Sequence, residues 1–148
     1  MGLLVTRGQT ETFANQISPG CRIGRVTEGL LLPIAEAVDV VEPVAKLTAA
    51  LQGKPGVRSI SNVGLAEWRP SEGEGVSYDL IWIQWCLGYV TDTQLVDHLR
   101  LCKSVLANDG LIVIKENLST SGQDHFHEED GSITRQAACP RRSSCAIG

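Results

Sequence analysis

An α/β fold on a mostly parallel sheet is what the sequence predicts, and three observations lead there. Over residues 24–115, helical and strand-like segments alternate at short spacing, the pattern of strands joined by crossover helices. Two runs, residues 78–85 and 111–115, are almost continuously apolar, as strands covered on both faces are. A glycine turn, Gly20-Cys21-Arg22-Ile23-Gly24, opens the first helical stretch, and an acid, Glu42, closes the following strand-like one eighteen residues beyond Gly24. In doubly wound folds that pairing marks a ligand site outside the carboxyl ends of the strands.

Residues 25–37 continue from that turn with Val26, Leu30, Ile34 and Val38 four apart, which predicts a helix with Pro33 as a kink. Residues 38–42 read as a short strand ending in an acid, and residues 44–51 as a second helix closed by Gly53 and Pro55. A weakly alternating strand at 57–63 precedes a Gly-, Glu- and Ser-rich loop at 70–75, and the apolar strand at 78–85 follows. Thr91 is placed to cap a helix reaching residue 107, with Leu95, Leu99, Cys102 and Leu106 on one face. Asn108-Asp109-Gly110 then turns the chain into the strand at 111–115. Past Asn117 the chain becomes polar and acidic over 119–131, and residues 136–148 lack any period, which predicts a disordered tail. The domain is therefore expected at 20–135, between a poorly defined segment at 1–19 and the tail at 136–148. No repeat of solenoid length is present.

With 148 residues, 43% hydrophobic and 20% charged, the chain suits one ordinary globular domain. A net charge of −4 argues against a nucleic-acid partner and favours a cationic one. The sequence has no apolar run of about eighteen residues, and its start is too short for a secretory leader. A soluble, cytoplasmic monomer, with the nucleus also open to it and no membrane partner, is the expectation. Five cysteines, Cys21, Cys86, Cys102, Cys139 and Cys145, are odd in number and form no CxxC, so neither a disulfide framework nor a zinc site is expected. His125 and His127, taken with Cys139 and Cys145, match no metal-ligand spacing.

Singly, the site signals have ordinary readings. A Gly-x-x-x-Gly is most often only a turn, and a strand-terminal Glu most often a solvated end. Their spacing strengthens the joint case, because a carboxylate at 42 can accept hydrogen bonds from both ribose hydroxyls of an adenosine.

Four stretches carry a resemblance: Tyr78-Asp79-Leu80-Ile81-Trp82-Ile83-Gln84-Trp85-Cys86-Leu87-Gly88-Tyr89-Val90-Thr91-Asp92, Gly110-Leu111-Ile112-Val113-Ile114-Lys115-Glu116-Asn117, Ile23-Gly24-Arg25-Val26-Thr27 and Leu30-Leu31-Leu32-Pro33. Together they resemble the eukaryotic protein α-N-terminal methyltransferases over residues 20–135, with the Ile-Trp-x-Gln-Trp run specific to that family. The wording of residues 117–122 is similar to fungal members. The resemblance implies a Rossmann-like class I fold, S-adenosylmethionine as cofactor, and methylation of the α-amine of proteins beginning Xaa-Pro-Lys, ribosomal proteins among them. It places Gly20, Gly24 and Arg25 on the cofactor loop, Glu42 on the ribose, Leu65 and Ala66 beside the adenine, and Gln84 as a polar contact near the cofactor. It places Trp85 against the substrate proline and Asn117 near the substrate amine. Asp130 and Ser132, within residues 128–135, fall in the acidic segment receiving the amine and the lysine, and Tyr89 where the family carries a histidine base. Trp82 is left to the core.

The chemistry suits those roles. An amine must lose its proton and be held in line with the methyl group before transfer, and fixed geometry supplies much of the rate. Proline has a fixed φ and no N–H, so an aromatic face recognises it at small entropy loss. A lysine in third position attracts carboxylates, which Glu116, Glu128, Glu129 and Asp130 can offer.

Three departures from the family pattern stand out. The middle glycine of the turn is Arg22, whose backbone would cost roughly 1–2 kcal/mol if left-handed. Tyr89 titrates near 10 in reference peptides and is a poor proton acceptor at neutral pH, leaving Asp130 as the base. Finally, a first central strand is not visible, residues 12–17 being the only segment positioned to replace it, and closing strands are not visible after Arg135. Those ends lead one to expect an incomplete gene model or a decayed copy. The alternative function is then an inactive chain that at most binds peptides, or one that does not fold by itself.

Overall fold

The computed structural model describes residues 3–7, 26–70 and 77–137. Its centre is a five-stranded sheet in the order β3-β2-β1-β4-β5, formed by β1 (Leu3–Arg7), β2 (Ala37–Val41), β3 (Val57–Ser61), β4 (Tyr78–Gln84) and β5 (Leu106–Lys115). The β2–β3 and β4–β5 pairs are parallel, as the crossover pattern predicts. The expectation of a missing central strand is corrected by β1. It lies between β2 and β4 and pairs with both, Val5 opposite Asp39 on one side and Ile81 on the other. Its direction is antiparallel to both neighbours, so the sheet is mixed at its centre rather than parallel throughout. Residues 12–17, the expected substitute, lie outside the described residues, as do Gly20, Gly24, Arg25 and Arg22.

Both faces of the sheet are covered at β4, which explains its unbroken apolar run; β5, expected to be covered in the same way, is an edge strand whose Leu111 and Ile114 are exposed. Ile81 and Ile83 face one cluster with Val41, Leu65, Trp68, Leu87 and Cys102, while Leu80 and Trp82 face the other with Leu31, Val38, Val40 and Leu51. Helix α1 (Ala45–Thr48) continues into a 3₁₀ turn at Ala49–Leu51, and helix α2 (Asp92–Ser104) buries His98 and Cys102. Thr91 caps α2 as the sequence predicts, its hydroxyl accepting the Gln94 N–H while the Gln94 side chain accepts the Thr91 N–H.

Three expectations shift in detail. The helix expected at 25–37 is a short π-helical turn, Thr27–Leu31, closed by the Leu32 N–H donating to the Thr27 carbonyl at 2.8 Å. Pro33 has no N–H with which to carry it further. Helix α2 stops at Ser104 rather than 107 because the Val105 carbonyl accepts the Tyr78 N–H at 2.8 Å, which starts β5 early. The Asn108-Asp109-Gly110 turn survives inside β5 as a bulge: Tyr78 pairs with Leu106, but Leu80 pairs with Leu111. A side chain at Gly110 would meet the Tyr78 carbonyl at 2.9 Å. Beyond the sheet, the acidic stretch is not a plain loop. β6 (His125–His127) and β7 (Ser132–Thr134) form an antiparallel hairpin. Of the tail expected at 136–148, only Gln136 and Ala137 are described.

One buried polar group escaped the sequence reading. Asp39 on β2 is 3% exposed and accepts bonds from the Arg58 guanidinium, the Ser59 hydroxyl at 2.8 Å and the Tyr78 hydroxyl at 3.0 Å. Burial would push its carboxyl up, but Arg58, Ser59 and Tyr78 outweigh that and hold it below the usual range. Burial and the Asp39 charge push the Tyr78 phenol up to about 12.

Candidate active site

Chain segments leaving the carboxyl ends of β2, β4 and β5 meet on one side of the sheet, where doubly wound folds place their ligands. Two adjoining cavities lie there and share Tyr89 in their walls. The first, of about 420 Å³, is walled by Glu42, Val44, Leu47, Val63, Leu65 and Ala66. The second, of about 350 Å³, is walled by Trp85, Glu116, Asn117, Asp130 and Ser132.

Glu42 follows directly on β2, and its backbone is clamped from two sides. Its N–H donates to the Ser61 carbonyl at 3.0 Å, and its own carbonyl accepts the Asn62 amide at 2.8 Å, which also reaches the Thr48 hydroxyl at 3.0 Å. One carboxylate oxygen accepts the Val44 N–H at 3.0 Å. The carboxylate is thereby set in the wall of a mostly apolar cavity, which Glu67, Tyr89 and Gln94 also line. Across it, the loop bearing Leu65 and Ala66 is braced from below by Trp68, whose ring meets that of His98 edge-on at 6.0 Å. Burial pushes the His98 imidazole down, so it stays neutral at pH 7.

The second cavity depends on a sharp change of direction after β4. Trp85 has φ 52°, a left-handed conformation that a bulky side chain rarely adopts. Its N–H donates to the Lys115 carbonyl at 3.0 Å, and the Lys115 ammonium sits 5.1 Å from the centre of its ring. Glu116 completes the turn from β5: its Oε1 accepts the N–H groups of Cys86 at 2.6 Å and Leu87 at 2.8 Å. The sequence expectation placed Glu116 on the substrate; the structure puts it in the cleft wall and gives one of its oxygens to the backbone.

Opposite that turn stands the hairpin. Asp130 accepts the Ser132 N–H on Oδ1 at 3.0 Å and the Tyr89 hydroxyl on Oδ2 at 2.9 Å. Ser132, through side chain and backbone, and then Tyr89 hold the Asp130 carboxyl below its usual range, and the Asp130 bond raises the Tyr89 phenol above its own. Tyr89 is thus a neutral donor at pH 7. Gly88 is required here, since a Cβ would stand 2.9 Å from the Ile133 carbonyl.

Among the described residues, the structure therefore groups Glu42, Leu65 and Ala66 in one cavity and Trp85, Glu116, Asn117, Asp130 and Ser132 in the other, with Tyr89 between. Gln84 stands apart from both walls, buried with its side-chain oxygen accepting the Trp82 indole N–H at 3.0 Å. Gly20, Gly24 and Arg25 lie outside the described residues. Asn62, Gly88 and His127 were missed from sequence, because their contributions are contacts between segments far apart in the chain. No cluster of metal-ligating side chains occurs among the described residues, and Cys86 and Cys102 are buried free thiols.

Comparison with known proteins decides the family. A model described as AdoMet dependent proline di-methyltransferase matches residues 3–143. The chain belongs to this family. Among this family's curated proteins, it is 42% identical over 118 residues to the alpha N-terminal protein methyltransferase 1 of Schizosaccharomyces pombe, covering 78% of this chain and 52% of that one. It is 39% identical over 135 residues to the human N-terminal Xaa-Pro-Lys N-methyltransferase 1, covering 87% of this chain and 58% of the relative. A solved SAM-dependent methyltransferase from Leishmania major superposes with a TM-score of 0.67 at 32% identity, over 78% of this chain and 46% of that one. The chain thus spans about half the length of the relatives it matches.

Proposed function

We propose that the chain is an S-adenosylmethionine-dependent methyltransferase acting on the α-amine of protein N-termini that begin Xaa-Pro-Lys. The observation that carries the reading is the junction at Tyr89 between the cavity ended by Glu42 and the cleft walled by Trp85, Asn117 and Asp130. The first has the chemistry of an adenosine site, an acid for the ribose and apolar walls for the base, in a volume ordinary for a small ligand. Glu42, Leu65 and Ala66 would hold the nucleoside, with Gly20, Gly24 and Arg25 toward the methionine end. Bound there, the cofactor supplies an electrophilic methyl on a sulfonium.

This chain's own residues do the rest. The indole of Trp85 offers a flat face to the proline ring. Asn117 and Asp130 face the same cleft and orient the amine, and Asp130 is one of the cleft's groups able to accept its proton. Glu116 and Glu129 leave a negative rim for the lysine, and Ser132 a hydroxyl beside it. Ribosomal proteins with exposed Xaa-Pro-Lys termini are the substrate class, and a monomer in the cytoplasm, with access to the nucleus, is the setting proposed. The net charge of −4 supports a cationic peptide over nucleic acid as partner.

One observation favours a second reading, a peptide-binding chain without activity. Asp130 is held low and already bonded to Tyr89, so it is a weak base. Calorimetry with S-adenosylhomocysteine and a Ser-Pro-Lys peptide, together with transfer of labelled methyl to that peptide, separates the two. Binding of both with incorporation supports the enzyme; peptide binding without cofactor binding or incorporation supports the module. A folded chain that binds neither would sink both readings.

A further inference from the structure

Arg135 follows β7 and has a low side-chain exposure of 20%, with its polar groups spent on other segments. Its Nη1 donates to the Leu87 carbonyl at 2.7 Å, its Nη2 to the Val90 carbonyl at 2.6 Å and its Nε to Asp92 Oδ1 at 2.9 Å. Its own carbonyl accepts the Ser119 N–H at 2.8 Å. These partners belong to the turn after Trp85, to the start of α2, and to the chain just past Glu116 and Asn117. The hairpin that Arg135 ends carries Asp130 and Ser132.

We propose that Arg135 is the positioning residue that assembles the peptide cleft. Its side chain latches the hairpin wall to the segment from Leu87 to Asp92 and its backbone carbonyl to Ser119 beyond β5, so that Trp85, Asn117 and Asp130 face one another at fixed separation. The proposal rests on the reading of that cleft as the peptide site. A guanidinium is suited to the task because its planar fork serves two carbonyls and a carboxylate at once, where an ammonium is a point charge on a flexible stem. Gly88 makes the latched distance possible, since any Cβ there would strike the Ile133 carbonyl of β7. The two bonds to carbonyls are charge-assisted and partly shielded from water, and for that reason stronger than surface contacts, whereas the Asp92 carboxylate is exposed.

The test compares the full chain with Arg135→Met and Arg135→Lys. Amide exchange is read first, because it does not depend on activity. In Arg135→Met the Tyr89, Val90 and Gly131 amides are expected to exchange about tenfold faster or more, with the β4 amides unchanged. Unaltered exchange at those three amides would overturn the latch. Peptide affinity is read second: a Ser-Pro-Lys peptide is expected to bind about tenfold more weakly while S-adenosylhomocysteine affinity changes by less than about threefold. Equal losses for both ligands would show a general loss of structure and overturn the positioning role. Full recovery in Arg135→Lys would show that charge alone suffices and overturn the fork. Should the parent chain bind no peptide, the peptide reading fails, and the exchange data still decide the latch.

Discussion

Trp85 concentrates the tension between stability and use at a single residue. Its left-handed backbone is a strained choice for a bulky side chain, and such strain persists where surroundings overdetermine it. Three contacts do so here: the bond to the Lys115 carbonyl, the Lys115 ammonium over the ring, and Glu116 holding the next two N–H groups. In Trp85→Gly, relief of the strain is expected to offset the lost contacts, leaving unfolding free energy within about 1 kcal/mol of the parent. Peptide affinity should nevertheless fall by about tenfold or more, since the aromatic face is gone. Denaturant titration and calorimetry check the pair of outcomes; a large stability loss would mean that the indole serves the core.

At the scale of elements, β2 and β3 are joined by more than their ladder. Arg58→Met would leave the Asp39 carboxylate buried without its cation, and Arg58 is a third exposed, so the cost is expected at about 2–3 kcal/mol, below that of a fully buried pair. Replacing both residues in Asp39→Leu with Arg58→Met should return part of the loss, because the uncompensated charge is then absent. Chemical denaturation of the three chains measures this, and a double variant no better than the single one would count against a charge-based cost.

For the whole molecule, β1 decides whether there is one sheet or two. Without it, β2–β3 and β4–β5 share no ladder. Proline at a central strand position removes a donor that no solvent replaces, so Val5→Pro is expected to abolish the cooperative thermal transition, while the same change at Val57 on the outer strand β3 should cost less. Retention of a sharp transition in Val5→Pro would show that β1 is dispensable. Acid stability is also a property of the whole chain. The folded pKa of His98 is depressed, so the unfolded chain takes up the proton first; stability is complete above about pH 6.5 and declines as pH falls below it. Asp39, also depressed, adds a second loss below about pH 4. Denaturation midpoints between pH 7 and 5.5 should flatten in His98→Gln, and an unchanged slope would assign the effect elsewhere.

Much of this was written in the chain. The apolar run of β4, the capping residues around Thr91 and the acid after β2 are local patterns, and local sterics and hydrogen bonding determine them before any tertiary contact forms. Of the site, Glu42 was legible from its place after a strand; Leu65, Ala66, Trp85, Asn117 and Asp130 were named through the family resemblance, and the structure brings them to the walls of two adjoining cavities. Residues 3–7 were not, since five residues carry no local mark of a strand that pairs on both edges, and still less of its antiparallel direction. The hairpin, the close approach at Gly88, the Asp39–Arg58 pair and the reach of Arg135 across three segments were equally hidden. Each is a contact between distant parts of the chain, where long-range packing outweighs local preference, so only the tertiary structure could decide it.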